Sequence, residues 1–121
     1  MARILICDDA VFMRAVLSEA LRNAGHEIVG EAEDADTVVE LYKKVKPDLV
    51  TMDILMKNSG VDAIKKIIDF DPKARIIVVS VLTAQEAEVV EAIRSGASGI
   101  VGKPINRSVL LSEVTRVLKS A

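Results

Sequence analysis

Tryptophan is absent, and the 121 residues include only one tyrosine, two phenylalanines, one histidine, one cysteine and three prolines. A core built from this chain is therefore aliphatic, and half of the residues are apolar, enough to build one. The single cysteine, Cys7, cannot form an intramolecular disulfide, which suits a reducing cytoplasm; its place inside an apolar run marks a packed, unreactive thiol. No apolar run approaches the ~20 residues that cross a membrane, and the N-terminal run is too short for a signal peptide. Net charge is −2 with no basic block, which disfavours direct nucleic-acid binding. His26 has no second histidine or paired cysteine near it; it is expected in an exposed turn and receives no role. No repeat, linker or low-complexity segment divides the chain. The expectation is one soluble, cytoplasmic domain over residues 1–121.

Short apolar runs alternate with segments of helical period. Ile4 to Cys7 is continuous and apolar, as in a strand buried on both faces. From Ala10 to Ala24, Met13, Leu17, Ala20, Leu21 and Ala24 fall at spacings of three and four, giving one apolar helix face. Asp9 is placed to cap this helix, and Gly25 to end it. Glu27 to Ala32 is a weaker strand. Ala35 to Lys46 is helical in period, with lysines in its last turn and Pro47 beyond. Asp48 to Met52 is a third strand, Ile54 to Gly60 a loop, and Val61 to Asp69 a third helix. A turn at Asp71-Pro72 leads to the clearest buried strand, Arg75 to Val81. Thr83 is expected to cap a helix from Ala84 to Ser95, with Glu86 completing a capping box and Gly96 closing the helix. Gly99 to Gly102 is a short fifth strand, and Asn106 caps a last helix to about Lys119. Five strands alternating with five helices predict an α/β fold, a doubly wound (βα)5 three-layer sandwich. Its five-stranded parallel sheet takes the order 2-1-3-4-5.

In such sheets the functional site lies beyond the carboxyl ends of the strands, where strand order reverses. Asp8 and Asp9 end the first strand, Asp53 the third, Ser80 the fourth and Lys103 the fifth. Read singly, each has a simpler explanation: Asp9 a helix cap, Asp53 a turn residue, Lys103 a solvated charge, Ser80 a satisfied core hydroxyl. Together they place three carboxylates, a hydroxyl and an ammonium at one sheet edge. Clustered carboxylates raise one another's pKa unless a cation joins them, and hard oxygen donors suit Mg²⁺, or Mn²⁺ in its place. A metal and a lysine neutralise the oxygens of a transferring phosphoryl group, and a carboxylate can accept that group as an acyl phosphate. Asp53, alone at its strand end, is the candidate acceptor. Lys103 and Ser80 are placed to contact the phosphoryl oxygens.

These residues bring out a resemblance. Ile4-Leu5-Ile6-Cys7-Asp8-Asp9, Phe12-Met13-Arg14, Lys46-Pro47-Asp48-Leu49-Val50-Thr51-Met52-Asp53, Ser80 and Lys103-Pro104 resemble, over nearly the whole chain, the receiver domain of two-component response regulators. Within that family they are most similar to the single-domain chemotaxis regulators of the CheY type. The resemblance implies a flavodoxin-like fold. It implies that Asp53 takes a phosphoryl group from the phosphohistidine of a sensor histidine kinase. Mg²⁺ would be bound by Asp9, Asp53 and the backbone carbonyl of Leu55, with Asp8 acting through water, and the peptide before Pro104 would be cis. Such a protein is a phosphoacceptor that assists its own phosphorylation and dephosphorylation, not an enzyme in the usual sense. Implied partners are the kinase and a downstream protein such as a flagellar motor switch or phosphotransfer protein, met by a monomer.

Three features depart from the family. The loop after Asp53 keeps Met56 but continues Lys57-Asn58-Ser59-Gly60, without the usual proline and one residue shorter. Ile100 stands where a ring usually couples strand five to the hydroxyl on strand four. Val81, in place of a small residue, is expected to narrow the approach to the phosphoryl group. Leu55 and Leu82, two residues after Asp53 and Ser80, cannot orient a water, which predicts a long-lived acyl phosphate. Competing readings are a phosphorylation-independent interaction module on the receiver fold, a receiver cut from a methylesterase or transcription factor, and a metal-dependent phosphatase with an aspartyl nucleophile. Adjacent Asp8 and Asp9, in place of an Asp-x-Asp pair, oppose the last.

Overall fold

The computed structural model describes residues 1–56, 58–81, 83 and 85–120. Among the described residues five strands are present: β1 (Arg3–Cys7), β2 (Glu27–Ala32), β3 (Leu49–Met52), β4 (Ile76–Ser80) and β5 (Gly99–Gly102). Five helices separate or follow them: α1 (Val11–Asn23), α2 (Ala35–Val45), α3 (Gly60–Phe70), α4 (Ala87–Arg94) and α5 (Arg107–Lys119). All strand pairs are parallel, in the order β2-β1-β3-β4-β5, as expected from the sequence.

Side chains alternate across the sheet, and two cores result. On one face Ile4, Ile6, Leu49, Ile77, Val79 and Val101 pack beneath α1 and α5, which contribute Leu17, Leu21, Leu110, Val114 and Val117. On the other, Leu5, Cys7, Val50, Met52, Ile76 and Val78 pack beneath α2, α3 and α4. Strands β3 and β4 are buried at every position, which is why they read as unbroken apolar runs. Cys7 is packed as expected: burial first, then the charges of Asp53 and Asp8, push its thiol up to about 12.

Local signals were obeyed unevenly. Asn106 Oδ1 accepts from the Val109 N–H at 3.1 Å, the anticipated cap of α5, and Gly25 and Gly96 follow α1 and α4 with positive φ. Two caps are different from the sequence reading. Helix α1 starts at Val11, so Ala10 holds the capping position and Asp9 lies one residue too early to serve it. The Ala10 N–H is taken instead by Asp8 Oδ1 at 2.9 Å. Helix α4 starts at Ala87, not at residue 84; Ala84 itself lies outside the described residues. Glu86 occupies the capping position without a side-chain cap bond, and its N–H donates to the Thr83 carbonyl at 3.1 Å. Thr83 and Glu86, expected to form a capping box, are joined instead by this main-chain bond. His26 is half-buried where an exposed turn was expected, because its Nδ1 accepts from the Ala2 N–H at 3.1 Å.

Candidate functional site

Sheet hydrogen bonding continues one residue past the strand ends and fixes where the chain delivers its charged groups. The Asp8 N–H donates to the Ala32 carbonyl at 3.0 Å, and the Asp53 N–H to the Cys7 carbonyl at 3.0 Å. The Lys103 N–H donates to the Ser80 carbonyl at 2.9 Å. Asp8, Asp53, Ser80 and Lys103 thus leave four adjacent strands at one edge, with Asp9 beside Asp8. One carboxylate oxygen from each of Asp8, Asp9 and Asp53 lies within 4.8 Å of the other two. Lys103 Nζ stands among them, 2.8 Å from Asp8 Oδ2 and 3.4 Å from Asp53 Oδ2. The peptide between Lys103 and Pro104 is cis, as the family resemblance implied.

Burial separates the roles. Asp8 and Ser80 are fully buried and Asp53 is 4 % exposed, whereas Asp9 is exposed at the mouth. Asp53 Oδ1 accepts from the Leu55 N–H at 2.9 Å. Burial raises the Asp53 carboxyl above its usual range, and repulsion from Asp8 adds to it; the Leu55 N–H and Lys103 pull the other way without winning. For Lys103, burial favours the neutral amine. The hydrogen bond to Asp8 and the attraction of Asp53 and Asp8 outweigh it, so the ammonium is held above its ordinary pKa. The pocket is anionic and desolvated, and Lys103 is the cation the described residues place among the carboxylates: an environment that favours a further cation of higher charge. Three hard carboxylate donors at this separation could hold a metal ion.

Leu55 is 46 % exposed, and Val81, directly after Ser80, is 64 % exposed. Ile100 is partly buried against the core beneath α4. Lys57 and Leu82 lie outside the described residues.

Two features escaped the sequence reading. Gly60, assigned to a loop end, opens α3, where a Cβ would lie 2.5 Å from the Asp53 carbonyl oxygen; only glycine lets the helix start this close to Asp53. Arg14 Nη1 donates to the Asp8 backbone carbonyl at 2.7 Å. An Arg in helical phase with Leu17 and Leu21 would signal a partly inward cation, but its target depends on the β1–α1 turn.

The model of the response regulator receiver domain matches residues 4–115. The chemotaxis protein CheY of Thermotoga maritima is 47 % identical over 118 residues, covering 97 % of this chain and 98 % of that one. Among solved structures, the response regulator domain of Thermotoga maritima CheB superposes with a TM-score of 0.91 at 34 % identity, over 98 % of this chain and 97 % of that one. The Borrelia burgdorferi CheX–CheY–BeF3–Mg²⁺ complex gives a TM-score of 0.91 at 33 % identity, over 98 % of this chain and 90 % of that one. With its acidic cluster, its lysine and its strand order all on the same edge, the chain belongs to the response regulator receiver domain family.

Proposed function

We propose that the chain, residues 1–121 as one receiver domain, is a response regulator of two-component signalling serving chemotaxis, and that Asp53 is its phosphoacceptor. The observation that carries this reading is the meeting of Asp53 with Lys103 and with the Asp8 and Asp9 carboxylates in one desolvated pocket. A carboxylate oxygen of Asp53 attacks phosphorus; the new O–P bond forms as the N–P bond of a kinase phosphohistidine breaks, and the imidazole nitrogen keeps the electron pair. Lys103 neutralises charge on the transferring group, and Ser80, on the adjacent strand end, is placed to donate a hydrogen bond to it. Asp8, Asp9, Asp53 and the Leu55 carbonyl would hold Mg²⁺, or Mn²⁺, which when bound offsets the negative charge of phosphate and carboxylates.

The chain acts as a phosphoacceptor, and its output passes by binding. The added dianion beside Lys103 biases the loops and α4. The sensor histidine kinase supplies the phosphoryl group, and a flagellar motor switch protein or a phosphotransfer protein receives the signal. Among the described residues no helix is long and apolar enough to cross a membrane, in keeping with a cytoplasmic site of action. Ile100 in place of a ring favours a second reading, a constitutive interaction module, which the intact acidic set and Lys103 oppose.

Incubation with acetyl phosphate and Mg²⁺, followed by intact mass, tests the proposal. One phosphoryl adduct is expected, absent from Asp53→Asn and absent in chelator. No adduct on the parent, under conditions where an established receiver is labelled, would favour the constitutive module.

A further inference from the structure

Arg14 stands one turn into α1 with its side chain 15 % exposed. Its Nη1 donates to the Asp8 backbone carbonyl at 2.7 Å, and its Nε lies 3.3 Å from Glu31 Oε1 on β2. The guanidinium therefore ties together the helix that carries it, the end of β1 and the outermost strand. Asp8 is pinned at both ends: its Oδ1 accepts from the Ala10 N–H, its Oδ2 meets Lys103, and its carbonyl meets Arg14. Asp9 is held differently. It is exposed, and among the described residues no donor bonds its carboxylate. The peptide joining Asp9 to Asp8 fixes where the Asp9 Cα and Cβ lie, and the carbonyl of that peptide is the group Arg14 grips.

We infer that Arg14 is a positioning residue for divalent-cation binding: its bond to the Asp8 carbonyl fixes the peptide between Asp8 and Asp9 so that the Asp9 carboxylate stays with those of Asp8 and Asp53. A charge-assisted bond this short is among the stronger kinds, and the planar fork of an arginine holds the carbonyl through Nη1 and Glu31 through Nε, two separate donor nitrogens where a lysine has one. The inference rests on the metal-assisted phosphoacceptor reading. It differs from a merely structural role in one respect. Arg14 is bonded to neither Asp53 nor Lys103, so its loss weakens the metal without altering the phosphoryl step once metal is saturating.

Calorimetric titration of the full chain with Mg²⁺ alone, for the parent, Arg14→Gln and Val114→Ala, tests this. Val114 is fully buried on α5, outside the site, and its truncation supplies a destabilised control. Arg14→Gln is expected to weaken Mg²⁺ about tenfold, the usual scale for groups that orient metal ligands, while Val114→Ala keeps the parent affinity. Labelling by acetyl phosphate at saturating Mg²⁺ should then proceed at a similar rate in the parent and Arg14→Gln. An unchanged affinity in Arg14→Gln, or an equal loss in Val114→Ala, overturns the inference. A parent that binds no Mg²⁺ overturns the functional reading beneath it, a result distinct from a parent that binds and a variant that matches it.

Discussion

Replacing Asp53 by asparagine removes one of three carboxylates that each place an oxygen within 4.8 Å of the other two, and the structure allows the consequence to be sized. With an effective dielectric near 20, unit charges 4.8 Å apart repel by roughly 3.5 kcal/mol. Asp8, no farther than this, exerts at least such a repulsion on Asp53; Asp9, being exposed, exerts a screened part of it. Lys103, at 3.4 Å, returns roughly 5 kcal/mol of attraction on the same scale. Attraction and repulsion nearly cancel. What remains is the cost of holding a charged carboxylate at 4 % exposure, of which about 2 kcal/mol is taken as recoverable by a neutral isostere. The sign agrees with the raised Asp53 pKa: the fold prefers the neutral form, so stability falls as pH rises from the unfolded value of 3.8 through the higher folded one. Asparagine mimics the neutral form and keeps an acceptor for the Leu55 N–H. For 121 residues, about 2 kcal/mol corresponds to about 8 °C in Tm. Differential scanning calorimetry in chelator should therefore show Asp53→Asn melting higher than the parent. Mg²⁺ at a hundred times its Kd stabilises the parent by about 2.7 kcal/mol, or about 10 °C, and should lift the variant far less, closing or reversing the gap. A variant that melts clearly below the parent in chelator would refute the picture of a strained acidic cluster.

Other outcomes follow from single contacts. Thr51 Oγ1 is buried with no hydrogen-bond partner among the described residues, so Thr51→Val should raise stability by about 1 kcal/mol in urea denaturation, and a loss would mean the hydroxyl is satisfied. Glu113 Oε2 accepts from the Ile100 N–H at 3.1 Å while its carboxylate chelates Arg116, and Arg116 first, then the Ile100 N–H, hold its pKa below the usual 4.5 against the opposing effect of burial. Its contribution is therefore fully present above the unfolded value and lost as pH falls through the lower folded one; the stability gap between parent and Glu113→Gln should be steady near about pH 7 and shrink below about pH 4. A gap that widens in acid would contradict this. The double variant Leu55→Asn, Leu82→Glu should shorten the life of the aspartyl phosphate several-fold in a decay measurement by intact mass; equal lifetimes would show that these positions do not govern attack by water.

The sequence by itself determined the sheet and the identity of the charged groups. Runs such as Ile76 to Val79 read as strands because burial on both faces removes alternation, and parallel strands with helical crossovers leave few strand orders. A carboxylate ending such a run, as at Asp8 and Asp53, was conspicuous for the same reason: nothing in a buried strand calls for it. What the sequence left open were outcomes of a residue or two in phase. Asp9 and Thr83 carry the right chemistry for helix caps, yet the helices start at Val11 and Ala87, beyond the bonds that the Ala10 N–H gives to Asp8 and the Glu86 N–H gives to Thr83. Local propensity cannot register where a turn will close. The roles of Gly60 and Arg14 were hidden for a related reason. Their significance lies in an approach to the Asp53 carbonyl and in a grip on the Asp8 carbonyl, and main-chain atoms leave no mark in a pattern of side chains. Only the tertiary structure decided that Lys103 sits 2.8 Å from Asp8 across 95 residues of chain, since no spacing along a sequence encodes the distance between two strand ends. The chain's letters named the groups of the site; the packing of strands and turns set how close they come, and therefore what charge the pocket will accept.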